Sequence, residues 1–302
     1  MAIIDDIKFA YRRGSMLMRF IFINIAVCVI LHLATLVAWM ITGDQAAVLQ
    51  WVELPSDLSL LIRRPWTLVT YMFSHYALLH ILFNMLWLYW LGRIFMEYFS
   101  PKQLTGVYLL GGWGGALLFL LAYNLIPSLA GNSVFLIGAS ASVLAVIVAT
   151  AVYAPDYKIG LLFLGEVAIK WVAIVTVAIY LIGMETGNIG GNIAHIGGAL
   201  VGAWFALRIK RGRDITRPLN AVLDAVVGIF NGRSFSWPAA RRGNKAKPQQ
   251  ETTQQRQQPS RFDTVSEEEL DRVLKKIKDA GYDALTDAER DMLFKASRRR
   301  NP

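Results

Sequence analysis

The chain has 302 residues, 55% of them hydrophobic, and a mean hydropathy of +0.40. Its apolar residues fall in uninterrupted runs of about 20, long enough to cross ~30 Å of hydrocarbon as helices, which excludes a soluble globular fold. A net charge of +9 raises nucleic acid as a partner. The basic residues mostly follow the last apolar run and lack interleaved aromatics, so they read as topology signals and no nucleic-acid partner is expected.

Residues 1–19 carry Lys8, Arg12, Arg13 and Arg19 ahead of a full-length apolar run, with no small-residue cleavage site, so no cleaved signal is expected. Six spans follow, at 20–42, 76–95, 104–126, 134–154, 159–183 and 190–207, predicting an all-α, polytopic bundle of six transmembrane helices. Cys28, the single cysteine, lies inside the first run and excludes an intrachain disulfide or a thiolate metal cluster. Arg93 lies at the end of the second span and Lys102 after it, Lys158 follows the fourth, and Arg208, Lys210, Arg211 and Arg213 the sixth; the opposite side has only Arg63 and Arg64. Both termini are therefore expected in the cytoplasm. The segment 43–75 becomes a long outer loop containing Trp51 and Trp66, and its run ELPSDLSLLIRRPW is amphipathic enough to lie partly in the membrane.

The third span contains GGWGG at 111–115. In the fourth, Gly138, Ala141, Ala145 and Ala149 form a stripe of small residues; in the sixth, Gly191, His195, Gly198, Gly202 and Ala206 share one face. Small residues at such spacing let backbones approach, so spans four and six are expected to touch. In the fifth run Glu166 and Lys170 are four apart and are expected to pair on one helix face.

After residue 208 the composition changes. Leu219, Val222, Leu223, Val226, Val227 and Phe230 recur at helical spacing, as in a helix on the inner leaflet or one packed on protein. Residues 238–262 are rich in Gln, Arg, Pro and Ser and read as a disordered linker. Ser266 with Glu269 and Thr286 with Glu289 fit capping boxes, with Gly281 between them, predicting a small helical hairpin whose partner is unknown. The expected domains are 1–210, a six-helix membrane domain; 211–262, an amphipathic segment and linker; and 263–302, the cytoplasmic hairpin.

Polar side chains inside a membrane are costly and mark function. His80 and Asn84 share a face of span two, Ser140 lies in span four and His195 in span six. All four fall ~6 to 14 Å below the outer ends of their helices. Acyl transfer needs such a set: a hydroxyl, an imidazole to take its proton, and fixed donors for the oxyanion. Asp44, Glu53, Asp57 and Glu185 lie in outer loops, so the set supports a Ser-His dyad without a carboxylate. Taken singly, each residue has a structural explanation: Ser140 as a packing serine, Asn84 as interhelical glue, His195 bonded to a neighbouring carbonyl. His32 has no partner at its level, and His75, ~140° around a helix from His80, reads as a loop or interface residue.

These segments resemble the rhomboid family of intramembrane serine proteases. HYALLHILFNMLWLYWLG at 75–92 resembles the rhomboid second helix with its His-x-x-x-Asn. GASAS at 138–142 resembles the Gly-x-Ser-Gly motif of the fourth helix, and AHIGGALVG at 194–202 the sixth-helix histidine motif. The order and orientation agree over roughly residues 15–210. The resemblance implies Ser140 as nucleophile, His195 as base, and His80, Asn84 and the Ser140 backbone N–H as the oxyanion hole. It implies an endopeptidase that cleaves membrane-spanning proteins near the outer face of the bilayer, without metal or other cofactor, in a bacterial inner membrane. Three positions depart from the family pattern: Ala141 replaces a glycine, Leu144 stands where many relatives have a tyrosine stacked on the histidine, and Thr67 follows Trp66 in place of arginine. The nearest rival is a catalytically inactive rhomboid-like protein that binds membrane clients. A transporter lacks support because no inverted repeats or charged broken helices are visible, and metal-dependent proteolysis lacks its H-E-x-x-H.

Overall fold

The computed structural model describes residues 15–44, 46–161, 165–183 and 188–230, and scattered positions from Arg272 to Glu289. The chain divides into two compact units, Met1–Trp237 and Pro238–Pro302. The first is a helical bundle. Helix α1 (Met16–Thr42) buries a stripe of Leu17, Phe20, Ile21, Asn24, Cys28 and Leu31, while Met40 and Ile41 remain 72% and 78% exposed. A stripe turned inward on a helix that is apolar all round is the pattern expected when the surrounding solvent is lipid. Asn24 donates from Nδ2 to Phe20 C=O (2.8 Å) and to the Tyr108 hydroxyl (3.2 Å), and that hydroxyl donates to Met72 C=O (2.8 Å).

The segment that follows α1 is ordered by its own side chains. Strand β1 (Leu54–Pro55) pairs antiparallel with β2 (Phe135–Leu136). Asp57 caps a helix over Leu58–Arg63, accepting from the Ser59 N–H at 2.7 Å. Arg64 lays its guanidinium over the Trp51 ring (4.3 Å) and donates to Gln50 C=O (2.7 Å); Trp66 stacks on Trp51 and donates its indole N–H to Trp51 C=O (2.8 Å). Arg64, before Trp66, thus orders this loop, while Thr67 is buried and bonds back to Arg64 C=O.

Helix α2 (Leu78–Tyr98) is followed by α3 (Pro101–Leu125), whose start is fixed by a Ser100–Gln103 capping box and Pro101 in the first turn. Helix α4 (Ser140–Tyr153) is buried without interruption from Ala141 to Ala151, and α6 (Ile189–Ile209) packs on it and on α3. The contact expected between spans four and six is present. A Cβ on Gly198 would overlap the Ala141 carbonyl, and one on Gly202 the Ala145 carbonyl. The methyl of Ala141 lies against Gly115 of α3, which explains how the bundle accepts alanine there.

Two expectations are corrected. The fifth run is not one helix over 159–183: β3 (Lys158–Leu161) pairs antiparallel with β4 (Gly165–Ala168), and α5 covers only Ile169–Ile182. Gly165, at φ +71°, takes a left-handed conformation that breaks the helix. Glu166 consequently pairs with Lys158 (3.1 Å) and Lys170 with Asp156 (2.6 Å), instead of with each other. The fourth run likewise enters as strand β2 and a turn, leaving α4 with 14 residues. Helices α1, α2, α3 and α6 are long and apolar enough to cross a membrane; α4 and α5 are shorter apolar helices. Helix α7 (Arg217–Phe230) closes the described part of this unit.

In the second unit, Glu289 accepts from the Thr286 backbone N–H (2.8 Å), the carboxylate half of the expected capping box. Lys276 and Thr286 hold that carboxyl down at about 2. Ser266, Glu269, Gly281 and the segment 238–262 lie outside the described residues.

Candidate active site

Ser140 opens helix α4, and the turn before it is built to present it. Gly138 has φ +125°, a conformation that glycine adopts at little cost, and a Cβ there would strike the His80 imidazole. Two bonds from the preceding loop fix this turn: Gly138 N–H donates to Tyr71 C=O (2.9 Å), and Ala139 N–H donates to His75 Nε2 (3.2 Å). Val143 is the first residue bonded back along the helix, to Ala139 C=O, so the N–H groups of Ser140 to Ser142 have no intrahelical acceptor. The positive end of α4 therefore faces the site.

His195, on α6 and only 7% exposed, places Nε2 2.6 Å from Ser140 Oγ. An imidazole bonded to a hydroxyl at that distance can take its proton without rearrangement. Its other nitrogen, Nδ1, is buried and has no hydrogen-bond partner among the described residues. The ring is held by packing: Tyr180 of α5 lies against it, with centroids 3.7 Å apart. His80 and Asn84 both reach the same cavity, and Asn84 uses one amide N–H on its own helix at His80 C=O (2.9 Å), leaving a second donor.

The cavity has a volume of about 410 Å³ and is lined by Ser140, His195, His80, Asn84, Leu79, Phe83, Trp87, Tyr180 and Asn188. All four residues expected from the sequence are brought together. A larger cleft of about 540 Å³ between α4 and α5 is apolar apart from Lys170 and has no nucleophile. The outer-loop carboxylates do not line the cavity: Asp57 is engaged as a cap, its carboxyl held low by the Ser59 hydroxyl and N–H, and burial pushes Glu53 up. Glu185 lies outside the described residues.

Sequence reasoning missed two contributors. His75 lies in a loop, as expected, yet it is fully buried, holds the turn before Ser140 and meets the His80 ring edge-on at 5.2 Å. Tyr180 supplies the aromatic face that Leu144 cannot, from a different helix.

The rhomboid domain profile matches residues 63–212. These residues form a rhomboid domain. RHOMBOID-like protein 12, mitochondrial, of Arabidopsis thaliana is 33% identical over 159 residues, 49% of this chain and 47% of that protein. Rhomboid protease GlpG of Yersinia pestis (strain Pestoides F) is 33% identical over 92 residues, 29% of this chain and 32% of that protein; GlpG of Yersinia pseudotuberculosis serotype O:3 (strain YPIII) matches equally. The chain thus spans about half of the plant relative and about a third of the bacterial ones. The rhomboid match runs from the outer loop to just past α6 and contains His80, Asn84, Ser140 and His195; α1 and α7 lie outside it.

Proposed function

We propose that this integral membrane protein is a serine endopeptidase that cleaves transmembrane protein substrates within the bilayer, near its outer face. The observation that carries the reading is the 2.6 Å contact between His195 Nε2 and Ser140 Oγ inside a cavity shared with His80 and Asn84. Neutral His195 accepts the Ser140 proton as Oγ bonds to the scissile carbonyl carbon. The negative charge that develops on the carbonyl oxygen is met by the Ser140 backbone N–H at the start of α4, by His80 and by the second amide N–H of Asn84. Collapse breaks the C–N bond, His195 returns the proton to the leaving amine, and Ser140 is left acylated. Water, deprotonated by His195, then releases the acid. The proposed reaction draws on no metal or organic cofactor, and Tyr180 supports the imidazole by packing where a carboxylate would otherwise orient it. We place the protein in a bacterial inner membrane, and the charge asymmetry of its flanks supports both termini being cytoplasmic.

A fluorophosphonate probe separates this reading from a client-binding, inactive rhomboid-like protein. The purified protein is expected to be labelled on a peptide containing Ser140, with no labelling of Ser140→Ala. A folded wild-type protein that resists the probe would favour the inactive alternative.

A further inference from the structure

Helix α7 is locked to the bundle along one side. Asn220 donates to Lys102 C=O (3.0 Å), Asp224 pairs with the Lys102 ammonium (2.6 Å), and Gln103 donates to Asp214 (3.0 Å). Thr216 is buried so close to α3 that a Cβ on Gly106 would overlap it. Gly106 lies five residues into α3, about 7.5 Å from the start of that membrane-crossing helix. Helix α7 is therefore fixed beside the first turns of a span, at the level of the headgroups and upper acyl chains.

Leu219 and Leu223 of its apolar face pack on the bundle, and the rest of that face is left exposed. Val222, Val226, Val227 and Ile229 on that face are 60%, 45%, 56% and 65% exposed. That exposure matches the lipid-facing residues of α1 and is far beyond what a water-facing helix gains from being apolar. Asp224, the single acid of the helix, is already neutralised by Lys102. Arg211, Arg213 and Arg217 just ahead are exposed, and among the described residues none pairs with a carboxylate. An apolar face at the acyl boundary with free guanidinium groups beside it matches the chemistry of an anionic phospholipid.

We infer that α7 and the Arg211–Arg217 segment form an interfacial anchor that binds anionic phospholipid in the leaflet bordering the N-terminal end of α3. The inference is independent of peptidase activity.

The test places an environment-sensitive fluorophore on full-length protein in nanodiscs, using Val226→Cys in a Cys28→Ser background. Gly228→Cys serves as control, because Gly228 faces away from the apolar stripe and a Cβ there meets no atom. Phosphatidylcholine discs are compared with discs containing phosphatidylglycerol. The Val226 label should emit blue-shifted light, be quenched by acyl-chain nitroxides and resist aqueous iodide, with the opposite behaviour at Gly228. Phosphatidylglycerol should strengthen the difference, and the triple change R211Q, R213Q and R217Q should remove that increment. A Val226 label open to iodide, or shielded from both quenchers as under a protein partner, would overturn the anchor. The absence of any phosphatidylglycerol effect would overturn the headgroup contact.

Discussion

Ala139 carries a backbone N–H that the helix starting at Ser140 cannot use, and His75 accepts it in a fully buried site. Replacing His75 by Leu leaves that donor without a partner, at a cost of ~1 to 3 kcal/mol. His75→Leu should lower both the unfolding temperature and the fluorophosphonate labelling rate per folded molecule, whereas His75→Gln, which carries an acceptor oxygen, should recover most of each. A His75→Leu protein that matches wild type in both would remove His75 from the site. Tyr180 acts on the other member of the dyad. Aromatic packing of this kind contributes ~0.5 to 1.5 kcal/mol, so Tyr180→Ala should reduce turnover about two- to thirteenfold while Tyr180→Phe stays near wild type. Equal turnover of the Ala and Phe variants would contradict a positioning role. His80, Asn84, Ser140 and His195 were legible in the sequence because motif and helix depth agree. His75 was not, since an angle around a helix has no meaning for a residue in a loop. Tyr180 was hidden because one more aromatic in an apolar run gives no signal.

At the level of elements, the α4–α6 contact was readable from the small-residue stripes, and the structure gives it a physical limit. Gly198→Ala would drive a methyl into the Ala141 carbonyl, immediately beside Ser140. Overpacking costs ~1 to 3 kcal/mol, so Gly198→Ala should destabilise the bundle and slow labelling. Gly160→Ala should do neither, because nothing lies within 4 Å of its added methyl. Comparable thermal stability of the two variants would show that the contact is looser than described. The β3–β4 hairpin was not legible: residues 159–183 are apolar enough to read as one span, and hydropathy does not register the left-handed turn at Gly165. In the outer loop, the Asp57 carboxyl is held below its usual value by the Ser59 hydroxyl and N–H. Because the folded value lies under the unfolded one (~3.9), its cap is fully present above the unfolded value and is lost as pH falls through the folded one. Exchange protection of the Ser59 and Leu60 amides should therefore fall in acid, and pH-independent protection would contradict the cap.

For the molecule as a whole, composition and run length were enough to identify lipid as its solvent, because no soluble fold leaves Met40 and Ile41 so exposed on a helix apolar all round. The lengths of the individual crossings were less readable. Helix α4 is short because its outer part is spent on strand β2 and on the turn that presents Ser140, a local requirement invisible to a hydropathy window. The residues that line the described cavity all belong to the first unit. Reconstitution in proteoliposomes with a single-span protein substrate tests the dyad most directly, by mass spectrometry of products formed by wild type, Ser140→Ala and His195→Ala at equal folded amounts. Wild type should cut the substrate near the outer membrane face, and both variants should be inactive while keeping the wild-type unfolding temperature to within a few degrees. Cleavage at the same bond by folded Ser140→Ala or His195→Ala would contradict the Ser140–His195 mechanism.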